Sequence, residues 1–80
     1  MAFMLEVLYK SPLDPHREAS ISERVGTFGG RLTFREEPEA GRIEPVCLTY
    51  EFSGRTAAEE AASHLRQQGE HVEGPMEYGD

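Results

Sequence analysis

Six blocks of hydrophobic periodicity follow one another within 80 residues, and their order restricts the fold more than any other feature of the chain. In residues 2–10, AFMLEVLYK, the side chains Phe3, Leu5, Val7 and Tyr9 fall on one side of an extended chain. Met4, Glu6, Leu8 and Lys10 fall on the other, because successive strand side chains point to opposite faces. After the turn Ser11-Pro12-Leu13, Asp14 and Pro15 mark a helix start. The carboxylate accepts free backbone N–H groups, and proline lacks an N–H where none is needed. Ile21, Val25 and Phe28 follow at helical spacing, and Gly29 offers a left-handed residue to end the helix. Gly26 weakens the segment and leaves its end open between the two glycines.

Residues 31–37, RLTFREE, return to period two, with Leu32 and Phe34 expected inward and Arg31, Thr33 and Arg35 outward. A loop from Pro38 to Pro45 then carries Ile43 at its tip. It leads to VCLTYEF at 46–52, the strongest strand, with Val46, Leu48, Tyr50 and Phe52 on one face and Cys47, Thr49 and Glu51 on the other. Thr56 and Glu59 have the spacing of a capping box. Behind them Ala58, Ala61, Ala62 and Leu65 make a narrow apolar stripe closed by Gly69. HVEGPMEY at 71–78 is a last strand, interrupted by Gly74-Pro75.

The order β-α-β-β-α-β is that of the ferredoxin-like plait, an α+β fold with two helices on one face of a four-stranded antiparallel sheet. A length of 80 residues is one such domain. The plait puts the first and third strands in the middle, and these are the most apolar and free of Gly and Pro. The fourth strand, with its proline, belongs at an edge.

The second half also resembles the RNA-recognition motif. Residues 47–52, CLTYEF, stand in the place of that family's octapeptide strand, AAEEAASHL at 57–65 is similar to its alanine-rich helix, and GEHVEGPMEY to its closing strand. The resemblance implies the same plait, with RNA bases stacked on aromatics of the two central strands. Here the stacking positions of the third strand hold Cys47 and Thr49, and the outward positions of the first hold Met4, Glu6 and Leu8. The fold is therefore expected without the RNA-binding activity.

Charge points the same way. Asp and Glu number 15 against 8 Lys and Arg, a net charge of −7, and such a field repels a polyanion. From Glu70 onward there are four acidic residues and no Lys or Arg, which fits a solvated acidic edge and tail. The one cysteine excludes a disulfide framework within the chain. Glu6 interrupts the N-terminal apolar stretch, so neither a membrane span nor a secretory signal is read, and a cytoplasmic location without a membrane partner is expected. A hydrophobic content of 38% supports one core with little surplus, which favours a partner protein or a homodimer.

The candidate site is the sheet face opposite the helices. There Met4, Glu6 and Leu8 should meet Cys47, Thr49 and Glu51, with Arg31 and Arg35 from the second strand beside them. This is an apolar spot rimmed by charge, suited to contact. Cys47 on a flat central strand lacks the neighbours that activate a nucleophile. His16, His64 and His71 have no metal-site spacing, and Gly29-Gly30 follows a helix rather than opening one, so neither metal, phosphate nor any cofactor is expected. Glu6 and Glu51 as neighbours would make an acid/base couple unless an arginine neutralises them. The leading expectation is a non-catalytic module that binds itself or another protein through the open face or an edge strand. The alternative is a dimeric α+β barrel, a small-molecule binder or enzyme with a pocket over the sheet.

Overall fold

Strand β1 (Ala2–Tyr9), helix α1 (Pro15–Thr27), strands β2 (Arg31–Glu36) and β3 (Val46–Phe52), helix α2 (Arg55–Gln67) and strand β4 (His71–Tyr78) follow in the expected order. The computed structural model describes residues 1–39, 41 and 43–79. The four strands form one antiparallel sheet ordered β2-β3-β1-β4, so the chain is a ferredoxin-like α+β plait. β1 and β3 hold the middle because their inward residues supply most of the sheet's share of the core. Leu5, Val7 and Tyr9 lie opposite Tyr50, Leu48 and Val46. Ile21 and Val25 of α1 and Ala58, Ala61, Ala62 and Leu65 of α2 close over them. Each large aliphatic side chain so buried contributes about 1.5–3 kcal/mol. The small alanines let α2 lie close against β1 and β4.

Both helices stop in the same way. Gly29 takes a φ of +89° after α1, and the N–H groups of Gly29 and Gly30 return to the carbonyls of Gly26 and Val25 at 3.0 and 3.1 Å. Gly69 and Glu70 repeat these bonds after α2, giving two Schellman closures. Gly26 therefore lies within α1 and does not end it. At the other end, the Asp14 carboxylate accepts from the Arg17 N–H at 3.0 Å, as its sequence position implies. The expected capping box on α2 does not form. That helix starts at Arg55, with the extended residue Gly54 as its cap and no side-chain cap bond, so Thr56 already sits in the first turn. The carbonyl of Gly54 takes the first helical bond, from Ala58 at 3.2 Å, two residues ahead of the predicted start.

The larger departure is in β2. Leu32 lies opposite Tyr50, but Phe34 lies opposite Thr49, so Thr33 is an extra residue in a β-bulge. Because side chains alternate with period two, one extra residue reverses the faces of everything after it. Phe34 thus turns to the open face, 59% exposed, and Arg35 turns to the helix side, half-buried; both placements are opposite to those expected. A second irregularity in β4 puts Glu73 opposite Glu6 and Met76 opposite Met4, with Gly74 and Pro75 between them. Gly74 adopts a φ of +101°, which an L side chain rarely takes. Of the acidic residues toward the end, Glu73 and Glu77 lie in β4, the expected edge strand, while the Glu70 side chain is only 8% exposed, held by Arg17 at 2.8 Å. Ile43 is fully exposed, as expected of a loop tip, while Ala40, Arg42 and Asp80 lie outside the described residues. Among the described residues, no helix is long and apolar enough to cross a membrane.

Candidate functional site

Strand register arranges the open face as three rows running across all four strands. The first row is Arg31, Glu51, Met4 and Met76; the second Phe34, Thr49, Glu6 and Glu73; the third Glu36, Cys47, Leu8 and His71. The face therefore brings together Met4, Glu6, Leu8, Arg31, Cys47, Thr49 and Glu51, as their alternation requires. Arg35 is absent from it, for the reason given by the bulge. Residues that sequence reasoning did not assign to the face are Phe34, Glu36, His71, Glu73 and Met76. Met76 had a usable signal, since a bulge at Gly74-Pro75 restores its parity with Met4; nothing in RLTFREE marked Phe34.

Glu6 and Glu51 stand diagonally and do not form a couple. Glu51 is taken by Arg31 at 2.9 Å, while Glu6 accepts from the Cys47 thiol at 3.7 Å. Half-buried Cys47 has its thiol pKa pushed up, first by desolvation and then by the Glu6 charge. Such a thiol is a poor nucleophile at neutral pH. His71 and Glu73 share a face, as alternate strand residues must, at 3.3 Å. His16 is exposed on α1, and His64 of α2 lies against the Phe28 ring. Among the described residues no three His, Cys, Asp or Glu side chains converge as a metal site. A shallow groove of about 400 Å³ runs over the face between Met4, Glu6, Thr33, Phe34, Thr49 and Glu51. No helix covers it.

The helix side is charged in a different manner. Arg35 binds Glu18 of α1 through two nitrogens, at 2.6 and 2.9 Å, and also reaches Glu37. Tyr9 donates its hydroxyl to the same Glu18 and accepts the Asp14 N–H at 3.0 Å, and Arg17 lies 5.2 Å over its ring. Arg35 foremost, aided by Tyr9, holds the Glu18 carboxyl below the usual carboxylate range against the opposing effect of burial. Tyr50, fully buried, satisfies its hydroxyl on Ser22 at 2.8 Å. These bonds fasten α1 to the sheet; they enclose no cleft. Both outer strands carry a bulge, a device that blunts pairing of a free edge with another chain. The open face instead groups exposed Phe34 and Met76 with half-buried Met4 and Leu8. No protein-family model matches the chain, and no curated protein is significantly similar to it.

Proposed function

We propose that this chain is a non-catalytic interaction module that binds a protein through the open face of its sheet. The observation that carries this reading is the bulge in β2, which adds exposed Phe34 to a face already holding Met4, Leu8 and half-exposed Met76. Large apolar side chains grouped on a face without a covering layer favour a contact surface. Methionines adapt their shape to a partner better than branched residues do. An edge strand is the weaker alternative, because both edges are interrupted. The likeness to the RNA-recognition motif bears on fold; Glu6, Glu36, Glu51 and Glu73 over the same face favour a protein over a nucleic acid.

A selection of displayed peptides on the folded chain, repeated on a variant carrying Met4→Asp and Leu8→Asp, tests the reading. Ligands that bind the first and are lost on the second support it. Ligands indifferent to the two substitutions place the binding surface elsewhere and overturn it. The second reading, a dimeric barrel with a ligand pocket, draws on the groove of about 400 Å³ that a second copy would close. Light scattering separates the two: a dimer near twice 9.0 kDa keeps the barrel reading, and a monomer at all concentrations removes it.

A further inference from the structure

Resting on that reading of the open face, we infer that its partner is a cationic segment of another protein, with Arg or Lys flanked on both sides by apolar side chains. The middle row of the face places Glu6 and Glu73 directly opposite each other on adjacent strands. Like charges so placed repel across the sheet. Their neighbours within the chain are the Cys47 thiol for Glu6 and His71 for Glu73; among the described residues neither is ion-paired with a lysine or arginine. Over the three rows of the face, four carboxylates stand against one guanidinium, that of Arg31, which Glu51 already engages; Lys10 lies beyond the third row, beside Leu8 and His71. The opposed carboxylates are bordered on one side by the apolar pair Met4 with Met76, and on the other by Leu8 with its β3 neighbour Cys47, where His71 holds the β4 place.

Charge decides between the possible occupants. A second copy docked face to face would bring carboxylates onto carboxylates in a chain of net charge −7. A basic segment instead places its cation between Glu6 and Glu73, and its flanking apolar groups on the two bordering pairs. Met4, Glu6 and Leu8 follow at alternate positions, so the rows are about 7 Å apart along the strand. An extended partner presents apolar, basic and apolar groups at the same interval from its own alternate residues. The cation supplies direction and register, and the methionines and Leu8 supply apolar contact.

The test is a heteronuclear NMR titration of the full chain with a short synthetic peptide of the pattern Leu-Ser-Arg-Ser-Leu. A second peptide carries Glu for Arg, and a third Gln for Arg. The arginine peptide is expected to shift the methyl signals of Met4, Leu8 and Met76. The double variant Glu6→Gln, Glu73→Gln is expected to weaken it roughly tenfold with its circular dichroism unchanged. The control Glu59→Gln, Glu60→Gln removes two exposed charges from α2 and should leave binding within about twofold, which separates the site from general attraction to an acidic protein. If both double variants weaken binding alike, or if the arginine peptide leaves the open face unshifted, the inference is overturned. Should the glutamine peptide bind that face as tightly as the arginine peptide, the contact reading stands and the cationic partner falls. Self-association lost on Met4→Asp, Leu8→Asp would likewise keep the face and replace the partner with a second copy. No response at the face to any peptide or to concentration refutes both.

Discussion

Two glycines four residues apart should answer the same substitution with opposite signs. A Cβ built on Gly30 would lie 2.5 Å from Val25 Cγ1 and 2.6 Å from Phe52 Cε2, and in still closer contact with Phe52 Cζ. Carbon atoms rest about 3.5–4.0 Å apart, so Val25 and Phe52 would each have to retreat by about 1 Å. Neither has room, since Val25 is fully buried and Phe52 is 1% exposed. Overpacking of this kind costs about 1–3 kcal/mol. Gly26, on the solvent side of α1, has nothing within 4 Å of its Cβ position and no positive φ. There alanine should stabilise by about 0.5–1 kcal/mol, by favouring the helix and restricting the unfolded chain. A domain of this size has about 4–12 kcal/mol of stability in all, and each kcal/mol moves its melting point by about 4–8 °C. Gly30→Ala should therefore melt several degrees below the wild type and Gly26→Ala a few degrees above it, by circular dichroism on heating. A Gly30→Ala variant as stable as the wild type would mean that the α1 exit does not press on Phe52 as described.

Three further outcomes follow from the placement of charge and register. Glu18→Gln should lower stability at pH 7 by about 1–2 kcal/mol, below the usual worth of two charged hydrogen bonds because Arg35 retains some contact with water. Since the folded pKa of Glu18 lies below its unfolded value of about 4.3, the gap should hold above pH 5 and close as pH falls below 4. Urea unfolding at each pH measures it, and a gap unchanged near pH 2 would refute the pairing. Cys47 should react with iodoacetamide at pH 7 at least about tenfold slower than in the unfolded chain, and faster again in Glu6→Gln; equal rates would remove the burial and charge assigned to it. Deleting Thr33 should change stability by no more than about 1 kcal/mol, because Leu32 keeps Tyr50 and Phe34 keeps Thr49 as partners. Loss of folding on that deletion would show that β2 has no spare residue.

The elements most legible in the sequence are those whose alternation and burial agree. VCLTYEF and AFMLEVLY carry large apolar groups at every second position and lie in the centre, where a shift of register would expose all of them. From those two strands follow the plait and the middle of the open face. RLTFREE is an edge strand with no such constraint; all but one of its residues in β2 are exposed, so a reversal of faces at Thr33 exposes little that was buried. Periodicity alone therefore chose the wrong parity for Phe34 and Arg35. The start of α2 was misplaced by a local competition, in which Gly54 took the cap position ahead of Thr56. The sequence offers two glycines for the end of α1, and the bonds around Gly29 decide between them.

The bulge at Thr33 does more than correct a register. Were the same residues to run through Thr33 with unbroken alternation, Arg35 would stand on the open face opposite Cys47, and Phe34 would turn toward α1. The face would then carry a second guanidinium and lose an exposed aromatic ring. With the bulge, Arg35 crosses to the helix side and fastens Glu18, while Arg17 fastens Glu70. Arg24, also on α1, stands 3.9 Å from the same Glu70. Cations are thus concentrated where α1 must be held to the sheet, and the open face keeps its carboxylates with Phe34 added. An opposed Glu6 and Glu73 cost the free domain about 0.2–1 kcal/mol, which a lysine at either position would reverse. One inserted residue at an edge thereby both anchors a helix and leaves, on the opposite surface, apolar groups and negative charge that the fold itself does not satisfy.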